Sequence, residues 1–166
     1  SAASSACAVG LPASIFRVNA GSRGLQQRLP LAVAVMSLVS VLSYNIHECV
    51  GADRRRDPTR IAEIIKESGA QIVGLQEVHS DWSGEEHLHQ MNYLSALTGL
   101  QAVSGSAVER RNGHYGNVLL TSCKVLAVHK LNLSYLAREP RGAIDADLDI
   151  GGETVGVVVT HLRLRP

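Results

Sequence analysis

Asn45 closes a β-rich run that begins at Val39, and Glu77 follows the apolar run Gln71-Ile72-Val73-Gly74-Leu75-Gln76. A carboxylate beside a neutral amide oxygen suits a hard cation such as Mg²⁺, which keeps several of its waters. His161 ends a Val-rich stretch over 155–160 and could donate a proton or bind an anion beside such an ion. Arg138-Glu139-Pro140-Arg141 places two guanidiniums within one short segment, enough to clamp a phosphate. Each residue also has an ordinary reading. A strand-end Asn caps a turn, a strand-end Glu is solvated, a partly buried His is satisfied locally, and an Arg-Glu pair sits in a wet loop.

Other clusters carry less. Arg54-Arg55-Arg56 is flanked by Asp53 and Asp57, which offset much of its field. His87 and His89 would lie about 200° apart on a helix and cannot share a metal there. Asp145-Ala146-Asp147-Leu148-Asp149 imitates the start of a calcium loop, but its sixth position is Ile150 and its twelfth is Gly156. It reads as the wet face of a strand. His47-Glu48-Cys49 has no recognisable ligand spacing. Cys7, Cys49 and Cys123 are odd in number and widely spaced, which gives no disulfide framework and no zinc pair.

The elements that must position these residues follow from periodicity and punctuation. Residues 38–46 read as a strand. Asp57-Pro58 opens a helix, with Asp as cap and Pro at the first helical position. Ile61, Ile64, Ile65 and Ser68 mark one helical face, and Gly69 is a left-handed C-cap. Residues 71–76 form a second strand. Strand, helix and strand within about 35 residues make a βαβ unit with parallel strands and a right-handed crossover. Asn45 and Glu77 then share the carboxyl edge of one sheet, the edge at which open α/β sheets bind ligands. A second helix begins at the Ser83/Glu86 capping box and runs through Leu88, Met91, Leu94 and Leu97 to Gly99. Further strands are expected over 118–120, 124–133, 143–150 and 154–162, the last two joined by the Gly151-Gly152 turn.

The chain has 166 residues, 45% hydrophobic, 19% charged and 4% aromatic, so one domain with an aliphatic core is expected. The formal net charge of +1 excludes a strongly basic arm and an acidic tail. It sums two unlike pieces. Arg17, Arg23 and Arg28 are the charges of residues 1–42, and all 15 acids lie beyond them. Residues 1–35 are therefore expected to be a disordered leader or sequence upstream of a natural start at Met36. Residues 29–42 are apolar but too short to span a bilayer. Ala32-Val33-Ala34 lies inside that run, where a signal-peptide cleavage site does not belong. No membrane span is expected. The expected location is the cytoplasm, or an organelle or the exterior if the leader is a targeting segment.

Taken together, several of these segments resemble one family. Leu42-Ser43-Tyr44-Asn45-Ile46-His47, Arg60-Ile61-Ala62 and Ile72-Val73-Gly74-Leu75-Gln76-Glu77-Val78 are similar to the opening of the endonuclease/exonuclease/phosphatase superfamily. Tyr115-Gly116-Asn117-Val118-Leu119-Leu120-Thr121-Ser122, Arg138-Glu139-Pro140-Arg141-Gly142 and Thr160-His161-Leu162 recur in the family's order. The resemblance implies an α/β (α+β) fold, the four-layer αββα sandwich of DNase-I-like proteins. It implies hydrolysis of phosphoesters with Mg²⁺, or Mn²⁺. By resemblance Glu77 and Asn45 are metal-binding. His161, Asn45 and Glu77 are catalytic, and Arg138, Asn45 and His161 contact the substrate phosphate.

The resemblance covers about residues 36–166 and stops at the THL strand. The family continues into a Gly-Asp-Phe-Asn-like segment, a late Asp and a terminal Ser-Asp-His, none of which occurs here. The expectation is an incomplete domain over 36–166, inactive or nearly so, because residues that act as a unit lose activity together. Its last strand should expose an apolar edge. The substrate class is a phosphodiester or phosphomonoester. The mildly acidic balance after residue 42 favours a lipid-borne or small-molecule phosphate over nucleic acid. The alternative is a non-catalytic binding or scaffold domain of the same fold.

Overall fold

The structure is a computed structural model that describes residues 18–20, 38–81, 89–110, 113–135 and 140–162. Strands β1 (Val18–Ala20) and β2 (Val41–Asn45) precede helix α1 (Pro58–Ser68), strand β3 (Ile72–Asp81) and helix α2 (Gln90–Thr98). Five strands follow: β4 (Gln101–Arg110), β5 (Gly113–Thr121), β6 (Lys124–Asn132), β7 (Gly142–Ile150) and β8 (Glu153–Thr160). They form two four-stranded sheets, ordered β2-β3-β5-β4 and β1-β8-β7-β6.

The β2-α1-β3 unit forms as its sequence dictates. Asp57 Oδ1 accepts from the Arg60 amide at 3.1 Å, Pro58 begins the helix, and Gly69 ends it at φ 61°. β2 and β3 are parallel, with Asn45 beside Gln76, and every other sheet pairing is antiparallel. Ile61, Ala62 and Ile65 of α1 are buried, whereas Ile64 and Ser68, expected on the same face, are exposed. Ser68 instead turns its hydroxyl to the Ile65 carbonyl at 2.6 Å.

Two apolar layers hold the fold. One packs α1 and Leu94 of α2 against Val73, Leu75, Val118 and Leu120. The other lies between the sheets, where Ile72 and Leu119 meet Ile144, Ala146, Leu148, Val157 and Val159. Each fully buried aliphatic side chain contributes roughly 1.5–3 kcal/mol. Alternation along β7 leaves Asp145, Asp147 and Asp149 on the outer face, as a strand with one wet side requires. Helices cover one sheet, so the described residues supply the α, β and β layers of the sandwich.

Three differences from expectation are physical. β4 has little apolar alternation, and its Gly105 lies where a Cβ would run into Ile144 of β7. Small residues there serve the contact between sheets, not local strand propensity. α2 starts at Gln90 with the His89 ring accepting from the Asn92 amide at 3.4 Å. The Ser83/Glu86 box lies outside the described residues. β8 is not open along its whole edge, because β1 pairs with Val155–Val157, Val18 opposite Val157. The three β1 residues belong to the stretch assigned to a leader, and the rest of 1–35 lies outside the described residues.

Candidate functional site

The carboxyl ends of β2 and β3 lie side by side, and Asn45 and Glu77 meet there. The pairing of β3 with β5 jumps from Leu75 opposite Val118 to Val78 opposite Gly116, so Gln76 and Glu77 share one partner position. This bulge bends the strand and re-aims its side chains. Glu77 sits in it at φ 57°, a left-handed conformation uncommon outside glycine. Gln76 turns inward, wholly buried, with Nε2 donating to the Gly74 carbonyl at 3.2 Å.

Asn45 Nδ2 donates to Glu77 Oε1 at 3.0 Å. Its Oδ1 accepts from the His47 amide at 3.1 Å, closing a turn directly after β2. That turn is left-handed throughout, with φ 47° at His47, 54° at Glu48 and 61° at Cys49. It swings the His47 ring back over the site, and Nδ1 lies 2.9 Å from Glu77 Oε2. Both carboxylate oxygens are thus held, one by an amide and one by an imidazole.

The opposite wall comes from the other sheet. His161, 8% exposed, follows β8 and places Nδ1 3.8 Å from Glu77 Oε1. Arg141, just before β7, lies with Nη1 3.3 Å from the same imidazole nitrogen. The Gly142 carbonyl between them accepts from Asn117 Nδ2 at 2.8 Å and from Thr160 Oγ1 at 3.1 Å. These bonds pin β5, β7 and β8 together beside the Arg141 guanidinium and the His161 imidazole.

Asn45, Glu77 and His161, each singled out from sequence, therefore converge. Arg138 lies outside the described residues. Sequence reasoning missed His47 and named Arg141 only as half of a two-arginine clamp, giving the individual role to Arg138. His47 was missed because its approach depends on a left-handed turn that no spacing rule announces. Arg141 stood in the same four-residue segment as Arg138, and the segment's exit into β7 was the available signal. The arginine run is neutralised differently than expected. Arg56 pairs with Glu48 at 2.9 Å, while Asp53 is engaged by Arg60 at 2.9 Å and Asp57 by the helix amide. The Arg60 guanidinium holds the Asp53 carboxyl below its ordinary value, and Asp53 raises Arg60 in return. Burial pushes the Cys49 thiol up to about 12, partly offset by Arg56.

Among the described residues no group of three or more His, Cys, Asp or Glu could enclose a metal ion. One anchored carboxylate does fit a cation that keeps most of its waters. Glu77 would hold it. Asn45 presents its amide nitrogen to Glu77, so in this arrangement it orients the carboxylate. A cleft of about 350 Å³ opens beside Asn45 and His47, walled by Val50, Arg60, Ile61 and Ile64.

No helix among the described residues is long and apolar enough to cross a membrane. The structure is similar to an endonuclease/exonuclease/phosphatase from Beutenbergia cavernae, with TM-score 0.58 and 23% identity over 74% of this chain and 37% of that one. It is similar to truncated TDP2 from Caenorhabditis elegans, with TM-score 0.56 and 23% identity over 76% and 47%. A family protein from Leptotrichia buccalis gives 0.53 and 16% over 70% and 52%. The chain thus spans roughly a third to a half of these structures, whose likeness establishes the DNase-I-like α+β sandwich. No curated protein sequence matches the chain. The profile of the Endonuclease/Exonuclease/phosphatase family matches residues 42–164, most of the chain and every described site residue, and the protein belongs to that family.

Proposed function

We propose that Asn45, His47, Glu77, Arg141 and His161 form the cation- and phosphate-binding part of a divalent-metal-dependent phosphoesterase site. The observation that carries this reading is the Glu77 carboxylate, fixed by Asn45 and His47 and facing His161 and Arg141 across the two sheets. A hydrated Mg²⁺, or Mn²⁺, on Glu77 would act as a Lewis acid on a phosphoryl oxygen. Arg141 offers the fixed fork of donors that suits phosphate oxygens. His161, protonated, would donate to a phosphate oxygen or to the departing alkoxide. Arg138 is proposed as a second phosphate contact on the strength of the resemblance alone.

The proposed substrates are small or lipid-borne phosphodiesters or phosphomonoesters. The small-molecule scale of the adjoining cleft supports this. So does the charge balance beyond residue 42, 15 acids against 13 bases. Turnover by this chain is proposed to be very low, because a single carboxylate at the described site leaves none to activate water. The same observation favours a second reading, a binding domain that takes up a cation and a phosphate group without hydrolysis.

Hydrolysis of bis(p-nitrophenyl) phosphate with and without Mg²⁺, alongside Mg²⁺ and phosphate titrations, tests these readings. Mg²⁺ binding that Glu77→Gln abolishes and phosphate binding that Arg141→Ala weakens, with negligible turnover, is the expected result. Rapid Mg²⁺-dependent turnover lost in Glu77→Gln would overturn the low-activity part. Failure to bind either ion would overturn the site.

A further inference from the structure

Gln90, the first residue of α2, is wholly buried although its side chain ends in a polar amide. Burial of such a group is costly unless its donors and acceptors are satisfied. Here Oε1 accepts from the His79 amide at 2.9 Å, and Nε2 donates to the Glu48 carbonyl at 2.6 Å. The two backbone groups come from different segments. His79 is two residues beyond Glu77, and Glu48 adjoins His47.

Both segments need an external hold. Residues 47–49 and Glu77 all have positive φ, and the bulge interrupts the β3 ladder beside Glu77. Conformations of this kind persist only where surrounding structure over-determines them. α2 is a firm base for the hold. Its Leu94 is fully buried, and its Met91 amide donates to Ser80 Oγ at 3.4 Å.

We infer that Gln90 is a positioning residue, a cross-link from α2 that sets the separation of His47 and Glu77. The inference deepens the proposed function, since it rests on Glu77 as the working carboxylate for its chemical consequence. The geometric part stands without that reading. Loss of the amide frees the His47 turn and the β3 bulge to drift apart, which loosens one of the two bonds that hold the Glu77 carboxylate.

Gln90→Met keeps the volume and removes both hydrogen bonds. Gln90→Glu keeps the acceptor for His79 and, when ionised, lacks the donor for Glu48. NMR signals of the His47 ring and the Glu77 amide are compared with wild type, alongside thermal unfolding and Mg²⁺ titration. Ile65→Val serves as a destabilised core control. The expected result is displaced His47 and Glu77 signals in Gln90→Met, smaller displacements in Gln90→Glu, and none in Ile65→Val. Mg²⁺ affinity should fall by about tenfold or more in Gln90→Met. If Gln90→Met does not fold, Gln90→Glu is read the same way. Unmoved signals in the Gln90 variants, or equal movement in Ile65→Val, would overturn the inference. If wild type binds no Mg²⁺, the proposed function fails, while the NMR comparison still tests the positioning.

Discussion

Nδ1 of His47 lies 2.9 Å from Oε2 of Glu77, and both residues reach that contact from left-handed backbone, φ 47° and 57°. Each such conformation costs about 1–3 kcal/mol. The chain therefore gives up stability to bring an imidazole onto a carboxylate that Asn45 already holds. A merely solvated strand-end Glu would have no use for that arrangement.

Glu77→Gln should accordingly separate stability from function. His47 is half exposed, so water replaces the lost carboxylate partner, and the unfolding midpoint should move by only a few degrees. Stabilisation by Mg²⁺ should vanish, and any residual phosphoesterase activity should fall by about 100-fold or more. Thermal unfolding with and without Mg²⁺ measures both. Full Mg²⁺ stabilisation in the variant would count against Glu77 as the cation's anchor.

Arg141 and His161 form the wall proposed to face phosphate, and a guanidinium differs there from an ammonium. Arg141→Lys retains the charge but loses the planar fork, so inorganic phosphate should bind about tenfold more weakly, ~1.4 kcal/mol. Arg141→Ala should lose more, while Mg²⁺ binding at Glu77 should be nearly unchanged in both. Calorimetric titration with each ion separates the two effects. Equal phosphate affinity in wild type and Arg141→Ala would exclude this wall as the anion site.

How far the sequence anticipates this site depends on the kind of signal each residue carries. Asp57, Pro58 and Gly69 mark α1 because caps act locally, and β2 and β3 follow as a parallel pair. Asn45 and Glu77 could thus be brought to one edge by topology alone. The bulge at Glu77 and the left-handed turn at His47 are not legible, since no glycine marks either and tertiary bonds impose both. Arg141 is half legible. Its segment invites a phosphate reading, but only the register of β7 against β8 brings Arg141 to His161. β4 is hidden for the opposite reason, because its small residues are chosen by the facing sheet.

That facing contact is itself testable. A Cβ on Gly105 would meet Cδ1 of Ile144 at 2.7 Å and crowd its Cγ1 as well. Both positions are buried between sheets that have little room to part. Gly105→Ala should destabilise by about 1–3 kcal/mol through overpacking. Ile144→Ala alone should cost about 2–5 kcal/mol through its cavity. The double variant should cost less than the two together, because each change relieves the other. Urea unfolding of all four proteins measures the coupling, and strict additivity would mean that the two residues do not compete for the same space.

Cys49 makes the alkaline limb of stability predictable in sign. Its side chain is 1% exposed beneath the His47 turn, and burial pushes the thiol from an ordinary 9.0 up to about 12. The folded state therefore holds this proton more tightly than the unfolded state. The resulting stabilisation is complete below pH 9.0 and is lost as pH rises toward about 12. Cys49→Ala has no proton to lose there, so its stability should fall less steeply across the same window. Urea unfolding at a series of pH values compares the slopes. Alkylation under native conditions gives an independent reading, with iodoacetamide modifying the partly exposed Cys123 before Cys49. Equal alkaline slopes in wild type and Cys49→Ala, together with early modification of Cys49, would show that the turn opens readily and does not hold His47 against Glu77.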